Sequence, residues 1–162
     1  VRVTVSAGEF ARVLMAIPEH AEAAVIRGLK STAARGVGIM VEEIQKANAV
    51  NTGGLVQSVA YESALDGADV AVNAPHAAFL EYGTRPHFPP VAPVFEWVMR
   101  KLRPVAEDGK SAEEVGMGIA RAICLKISRD GTAPRWYARS AAKRIYFDVL
   151  PEEISREMEG LK

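Results

Sequence analysis

The sequence predicts an α+β fold: a long N-terminal helix packed on a small antiparallel β-sheet, with further helices in the C-terminal half. Three observations carry that prediction. Roughly thirty residues from Pro18 onward repeat apolar side chains at the helical period, two short segments at 55–63 and 68–74 alternate like strands, and helix starts and stops recur after Pro75.

The 162 residues suit one ordinary domain. They read as a single α+β domain over 1–162: an N-terminal strand and short helix to residue 17, a core over 18–103 with the long helix, a hairpin and a proline-rich loop, and C-terminal helices over 104–162. Twenty basic and twenty acidic side chains cancel, which excludes a global cationic field of the kind that drives general nucleic-acid or anionic-membrane binding. The one cysteine, Cys124, cannot form an internal disulfide or a zinc cage and fits a reducing cytoplasm. No apolar run approaches the ~20 residues that cross a bilayer, and "VRVTVSAGEF" lacks a signal-peptide core, so a soluble chain is expected.

Along the chain, "VRVTV" alternates Val1, Val3 and Val5 with polar residues, as a half-buried strand does. Ser6 and Glu9 form a capping box for a brief helix through Phe10 and Leu14 that Pro18 limits. The long helix follows, from Pro18 to about Ala47, its stripe being Ala21, Val25, Leu29, Gly36, Met40 and Ile44. Gly28 and Gly36 each cost about 1 kcal/mol relative to Ala inside it, which predicts another backbone passing close by. "LVQSVAYES" and "ADVAVNA" read as a hairpin turning through Asp66 and Gly67. Pro75 marks a helix start, and "HAAFLEY" gives two turns closed by Gly83 as a left-handed cap. "VAPVFEWVMRKL" is helical, its stripe Val91, Val94, Phe95, Val98 and Leu102. A second capping box, Ser111 and Glu114, opens a helix with Ala112, Gly116, Ile119, Ile123 and Ile127 on one side. Asp130-Gly131 stops it, Pro134 starts a last helix, and Pro151 kinks or restarts that helix.

The stretch "HAAFLEYGTRPHFPP" gathers His76, Glu81, Arg85 and His87 and invites a catalytic or metal reading. His76 and Glu81 are five apart, about 140° around a helix, so they do not converge. No HExxH, GxSxG, GxGxxG or GxxxxGK[ST] pattern occurs, and Cys124 reads as a small apolar residue on the shoulder of its stripe. The expectation is no enzyme, no cofactor, no metal site and no catalytic residue. The structural reading makes the stretch a stiff joint. Gly83 permits positive φ, Pro86, Pro89 and Pro90 fix φ, and Phe79, Tyr82 and Phe88 supply area to pin the loop to the core. Glu81 and Tyr82 hold it, and Thr84 follows in a Gly-Thr-x-Pro pattern echoed at Gly131, Thr132 and Pro134, which by itself is good helix-to-helix punctuation.

On the last helix Ala138, Ala141, Ala142, Ile145 and Val149 take one side while Trp136, Phe147 and Leu150 take the other. Trp97, Met117 and Leu125 also leave their own stripes. Such large apolar side chains either face a partner or are enclosed in a compact domain. Charge is segregated too. Arg129, Arg135, Arg139, Lys143 and Arg144 precede Asp148, Glu152, Glu153, Glu157 and Glu159. Three readings stand: a dipolar surface for head-to-tail association, plain solvated faces, or a basic stripe of Arg135, Arg139 and Lys143 for nucleic-acid phosphates. The candidate contact positions are Arg85, His87, Phe88, Trp97, Arg135, Trp136, Arg139 and Lys143.

"TGGLVQSV", "VNAPHAAFLEYGTRPHFPP" and "IARAICLKISRDGTAPRWYARSA" together resemble, in order and spacing, the neck or tail-component proteins of long-tailed bacteriophages, the head–tail joining and tail-completion family. The matching positions are Thr52, Gly53 and Leu55; Phe79, Glu81, Tyr82, Gly83 and Thr84; and Gly131, Thr132, Pro134, Arg135 and Trp136. The likeness spans roughly residues 20 to 150, and His76 departs from it where the family often has an aromatic residue. The resemblance implies an α+β subunit without a cofactor. It further implies a homo-oligomeric ring, six-fold or twelve-fold, docked to the head connector and to the tail tube or tail terminator. The site would be the virion neck, made in the bacterial host cytoplasm, near packaged DNA and without a membrane.

Overall fold

The computed structural model describes residues 1–6 and 19–160. The brief helix expected through Phe10 and Leu14 lies outside the described residues. The chain divides into two compact units, Val1–Glu81 with Arg135–Lys162 (unit 1) and Tyr82–Pro134 (unit 2). The α+β class is as the sequence predicts: a long helix, a three-stranded antiparallel sheet, and helices through the C-terminal half.

In unit 1, β1 (Arg2–Ser6), β2 (Val59–Ala64) and β3 (Gly67–Val72) form a sheet of order β1-β3-β2. Val3 sits opposite Val70 and Tyr61 sits opposite Val70 from the other side, so β3 is central, and its side chains are the most buried of the three. Alternation works as expected in β1, where Val3 and Val5 are buried and Arg2 and Thr4 exposed. The hairpin turns through Leu65 and Asp66, with Ala64 opposite Gly67. Leu55 and Val56 do not belong to the strand: Gly54–Gln57 is a short helix, α2, that buries Leu55 in the core. A two-residue period and a four-residue turn cannot be told apart over so short a run.

The long helix α1 (Glu19–Lys46) lays Val25, Leu29, Met40 and Ile44 into the core, each buried side chain contributing roughly 1.5–3 kcal/mol. The predicted close backbone is present at Gly28, where an added Cβ would stand 3.1 Å from the Ile154 Cα. At Gly36 the neighbours are side chains instead, Val70 and Ile145.

The terminal helix begins later than Pro134 suggests. Residue 136 is a left-handed cap, α6 spans Tyr137–Arg144, a π turn spans Ile145–Val149, and α7 spans Leu150–Glu159. In an i→i+5 turn residue 150 stacks over residue 145, and the Leu150 N–H indeed donates to the Ile145 carbonyl. Leu150 is therefore buried beside Ile145, correcting its expected place on the outer side, while Phe147 stays exposed.

The acidic block of α7 does not form an outward dipole. Arg27 donates to Glu157 at 2.9 Å, and Arg35 donates to Glu152 at 3.0 Å and to Glu153 at 2.6 Å, an antiparallel lacing of α7 onto α1. Arg156 also holds Glu153 and reaches Ser31 at 3.0 Å. The Arg144 guanidinium pairs with Glu42 and Glu43 of α1. Burial alone would raise the Glu153 carboxyl, but hydrogen bonds from Ser31 and Arg35 and the charges of Arg156 and Arg35 outweigh it and hold it below its ordinary 4.5. For Glu43 burial is likewise overcome, by Lys46 and Arg144.

Unit 2 consists of α4 (Val91–Lys101) and α5 (Ala112–Asp130) with their connections; α3 (Ala77–Tyr82) precedes them. The Ser111–Glu114 capping box forms as predicted, with 2.8 and 3.2 Å bonds. The buried line of α5 is Gly116, Ala120 and Cys124, which puts Cys124 at its centre and not on its shoulder. Leu102, expected in the α4 stripe, is exposed. Among the described residues no helix is long and apolar enough to cross a membrane.

Two outcomes follow for stability. Gly38 faces open space, so Gly38→Ala should raise the urea midpoint by the helix-propensity gain of about 1 kcal/mol, while Gly28→Ala should gain nothing because Ile154 must give way. Glu153→Gln should cost about 1.5 kcal/mol at pH 7, because the buried side chain loses its charge-assisted hydrogen bonds from Arg35 and Arg156 while both arginines stay solvated. A carboxyl held low when folded stabilises above its ordinary 4.5 and loses that contribution as pH falls below it, so the wild-type advantage in urea unfolding should shrink from pH 4.5 downward.

Candidate interaction surface

The two Gly-Thr segments find each other. In unit 2, Thr84 and Thr132 form an isolated antiparallel bridge, each N–H donating to the other's carbonyl at 3.1 and 3.2 Å, with their hydroxyls 3.0 Å apart. Each glycine is required by the opposite strand. A Cβ on Gly83 would lie 2.2 Å from the Thr132 carbonyl oxygen, and one on Gly131 would lie 2.1 Å from that of Thr84. Both glycines also hold positive φ, +74° and +70°. The echo is thus a pair and not two independent helix joints, and Thr132 does not cap a following helix.

On unit 1, the Arg135 N–H donates to the Leu80 carbonyl at 2.8 Å and the Trp136 N–H to that of Glu81 at 3.3 Å. Glu81 itself is buried, and its carboxylate accepts from the Ala138 and Arg139 amides at 2.8 and 3.0 Å. It caps the N-terminus of α6 from a different helix, where otherwise unpaired amides favour an anion. Tyr137 reinforces the junction by donating its hydroxyl to the Ala77 carbonyl at 3.0 Å. Glu81, expected to hold the proline-rich loop, instead fastens the start of α6.

No family model, curated protein or solved structure matches this chain.

Phe79, Tyr82 and Phe88 do not pin the loop inward: they are 62, 62 and 58% exposed. The loop is instead shaped by backbone. Pro86 and its neighbours restrict φ, the His87 N–H donates to the Ile127 carbonyl at 3.4 Å, and the His87 Nδ1 lies 2.9 Å from the Arg85 carbonyl oxygen. Arg85, His87 and Phe88 are exposed on unit 2, whereas Trp97 is half-buried in α4. On unit 1 the expected Arg135–Arg139–Lys143 stripe does not exist as one helix row. Arg135 precedes α6 and donates to the Ala47 carbonyl at 3.0 Å, and Arg139 lies over the Trp136 ring at 5.5 Å. Lys143 is exposed. Among the described residues, no three His, Cys, Asp or Glu side chains are grouped so that they could hold a metal ion.

Sequence reasoning missed Leu102 and Val105, exposed at the end of α4, and the role of Arg27 and Arg35. The alternation of Lys101, Arg103 and these two apolar residues was the available signal for the first pair.

The bridge yields a coupling test. Gly83→Ala and Gly131→Ala should each destabilise unit 2 by at least about 2 kcal/mol, and the double variant by far less than their sum, because either change already breaks the same ladder. Hydrogen exchange at the Thr84 and Thr132 amides reads the effect directly; additive losses would show the two segments to be independent.

Proposed function

We propose that this chain is a virion structural protein of a tailed phage or prophage, forming part of the neck at the head–tail junction. It works by symmetric self-association and by docking to connector and tail proteins. The observation that carries the reading is how apolar side chains are divided between the units. Every residue of the principal core belongs to unit 1. Unit 2 fully buries only Val98, Ala120 and Cys124 among its hydrophobic side chains, and it exposes Phe88, Leu102, Val105 and Leu125.

Covering those four at roughly 100 Å² each would contribute about 10 kcal/mol at about 25 cal/mol per Å². Association itself costs about 4–15 kcal/mol. One such contact is therefore marginal, which suits a subunit that joins a ring only where neighbours hold it in place. The motif likeness to neck and tail-completion proteins adds support from residues that the fold uses structurally: Gly83, Thr84, Gly131, Thr132 and Glu81.

When the gene is deleted from the phage or prophage that carries it, electron microscopy should show filled heads and separate tails, restored to joined particles by the gene in trans. Joined virions without the gene would sink the reading. Duplex-DNA titration covers the rival class: steep salt-dependent binding, lost in an Arg135→Ala/Arg139→Ala variant, would move the assignment to a nucleic-acid-binding module.

A further inference from the structure

The chain leaves unit 1 after Glu81 and returns to it at Arg135. The Arg135 N–H donates to the Leu80 carbonyl at 2.8 Å and the Trp136 N–H to that of Glu81 at 3.3 Å, while the Glu81 carboxylate accepts from the Ala138 and Arg139 amides. All of these groups belong to unit 1. Unit 1 therefore closes on itself, and holds both ends of the excursion, with bonds that unit 2 does not supply.

Unit 2 has a separate fastener, the Thr84–Thr132 bridge. The Gly131 N–H donates to the Ile127 carbonyl at 2.9 Å and the His87 N–H to the same carbonyl at 3.4 Å, so the bridge, the end of α5 and the proline-rich loop share one junction. The interior behind it is thin. Val98, Ala120 and Cys124 are the fully buried hydrophobic side chains of unit 2, and Phe95 and Met99, which meet Gly116, are only half-buried. In unit 1, by contrast, Leu29, Met40, Ile44 and Tyr137 share one core cluster.

We propose that unit 2 opens and recloses as one cooperative piece while unit 1 stays folded. Opening breaks the Thr84–Thr132 bridge, the shared junction at Ile127 and the thin interior together, and breaks none of the bonds at Leu80, Glu81 and Arg135. The freed chain is a loop whose ends unit 1 already holds, and the closure entropy of such a loop varies only slowly with its length. Sub-global openings follow the units with the least buried apolar contact, which here is unit 2. Such opening is a property of the chain itself and does not depend on the neck assignment. In a virion neck, a neighbour seated on the exposed Phe88, Leu102, Val105 and Leu125 would meet only the closed form and suppress opening by mass action.

Cys124, the one cysteine of the chain, is buried inside unit 2 and reports its opening without any substitution. Full-length protein is labelled with excess Ellman's reagent at rising urea below the unfolding transition, and the rate relative to a small exposed thiol gives the opening equilibrium of unit 2. Hydrogen exchange at the Leu29, Met40 and Ile44 amides gives that of unit 1. The opening constant at Cys124 should exceed that of the α1 amides at least about 100-fold, with a shallower but non-zero urea dependence. Equal constants with equal slopes would mean that the whole chain opens at once, and a rate indifferent to urea would mean breathing around one side chain; either overturns the proposal. Gly131→Ala, placed at a φ of +70° against the Thr84 carbonyl, should speed labelling at least about tenfold and leave α1 exchange unchanged. Complete loss of Cys124 protection in that variant, with α1 exchange still unchanged, would equally show unit 2 opening alone. Glu153→Gln should do the reverse, speeding α1 exchange and not labelling. Acceleration of both signals together in either variant overturns the independence of the two units.

Discussion

Thr84 and Thr132 exchange backbone hydrogen bonds across 48 residues of sequence, and that exchange closes unit 2. Loop closure grows only slowly with length, by about 0.6 kcal/mol per doubling, so a long excursion is tolerated once its ends are fastened. The fastening is almost entirely backbone. On unit 1 the same outgoing and returning segments meet through the Leu80 and Glu81 carbonyls, and the Glu81 carboxylate then caps α6. Side-chain identity matters at few places: two glycines with no room for a Cβ, and one buried acid. Phe79 and Phe88 stand exposed near them, 62 and 58% accessible.

The two units differ in how they hold themselves together. Unit 1 has a layered core in which α1 meets the sheet, α6 and α7, and it spends its charges internally, with Arg27, Arg35 and Arg144 each paired across elements. The Arg27–Glu157 and Arg144–Glu42 pairs are exposed and contribute little, whereas Arg35 reaches the wholly buried Glu153 and Arg144 the largely buried Glu43, pairs costly to break although apolar side chains would have served stability as well. Their effect is to set the register of α7 along α1, in concert with the close approach of Ile154 to Gly28. Unit 2 has no comparable core. Its helices approach closely at Gly116, where a Cβ would lie 2.6 Å from the Met99 sulfur, but small residues make a close crossing, not a voluminous one.

What the sequence showed plainly was local. The α1 span, the strands around Val3 and Val70, the Ser111–Glu114 box and the caps at Gly83 and Gly131 all follow from neighbours within a few residues. What it hid was long-range. The basic and acidic blocks look like a dipole until α1 arginines from a hundred residues away neutralise the acids. The Arg135–Arg139–Lys143 row assumes a helix that begins at Pro134, whereas the returning segment stays extended to pair with Leu80 and Glu81. For the candidate surface, the motif pair around Gly83 and Gly131 was visible as an echo, but that the halves touch is a property of the fold.

The π turn shows most directly how one local irregularity serves both stability and surface. An uninterrupted α-helix that buried Ile145 and Val149 would next turn Glu152 and Arg156 toward the core, where unpaired charge is heavily penalised. The extra residue in the turn advances the phase, and Leu150, Ile154 and Met158 follow Ile145 into the core instead, with Ile154 against α1. Glu153 comes inward as well, and Arg35 and Arg156 meet it there. Phe147, about 200° around the helix from Ile145, faces out with or without the extra residue. The turn thus trades two unpaired charges at the core for one buried carboxylate that Arg35 and Arg156 hold in place, and the apolar line of the terminal helix continues across it.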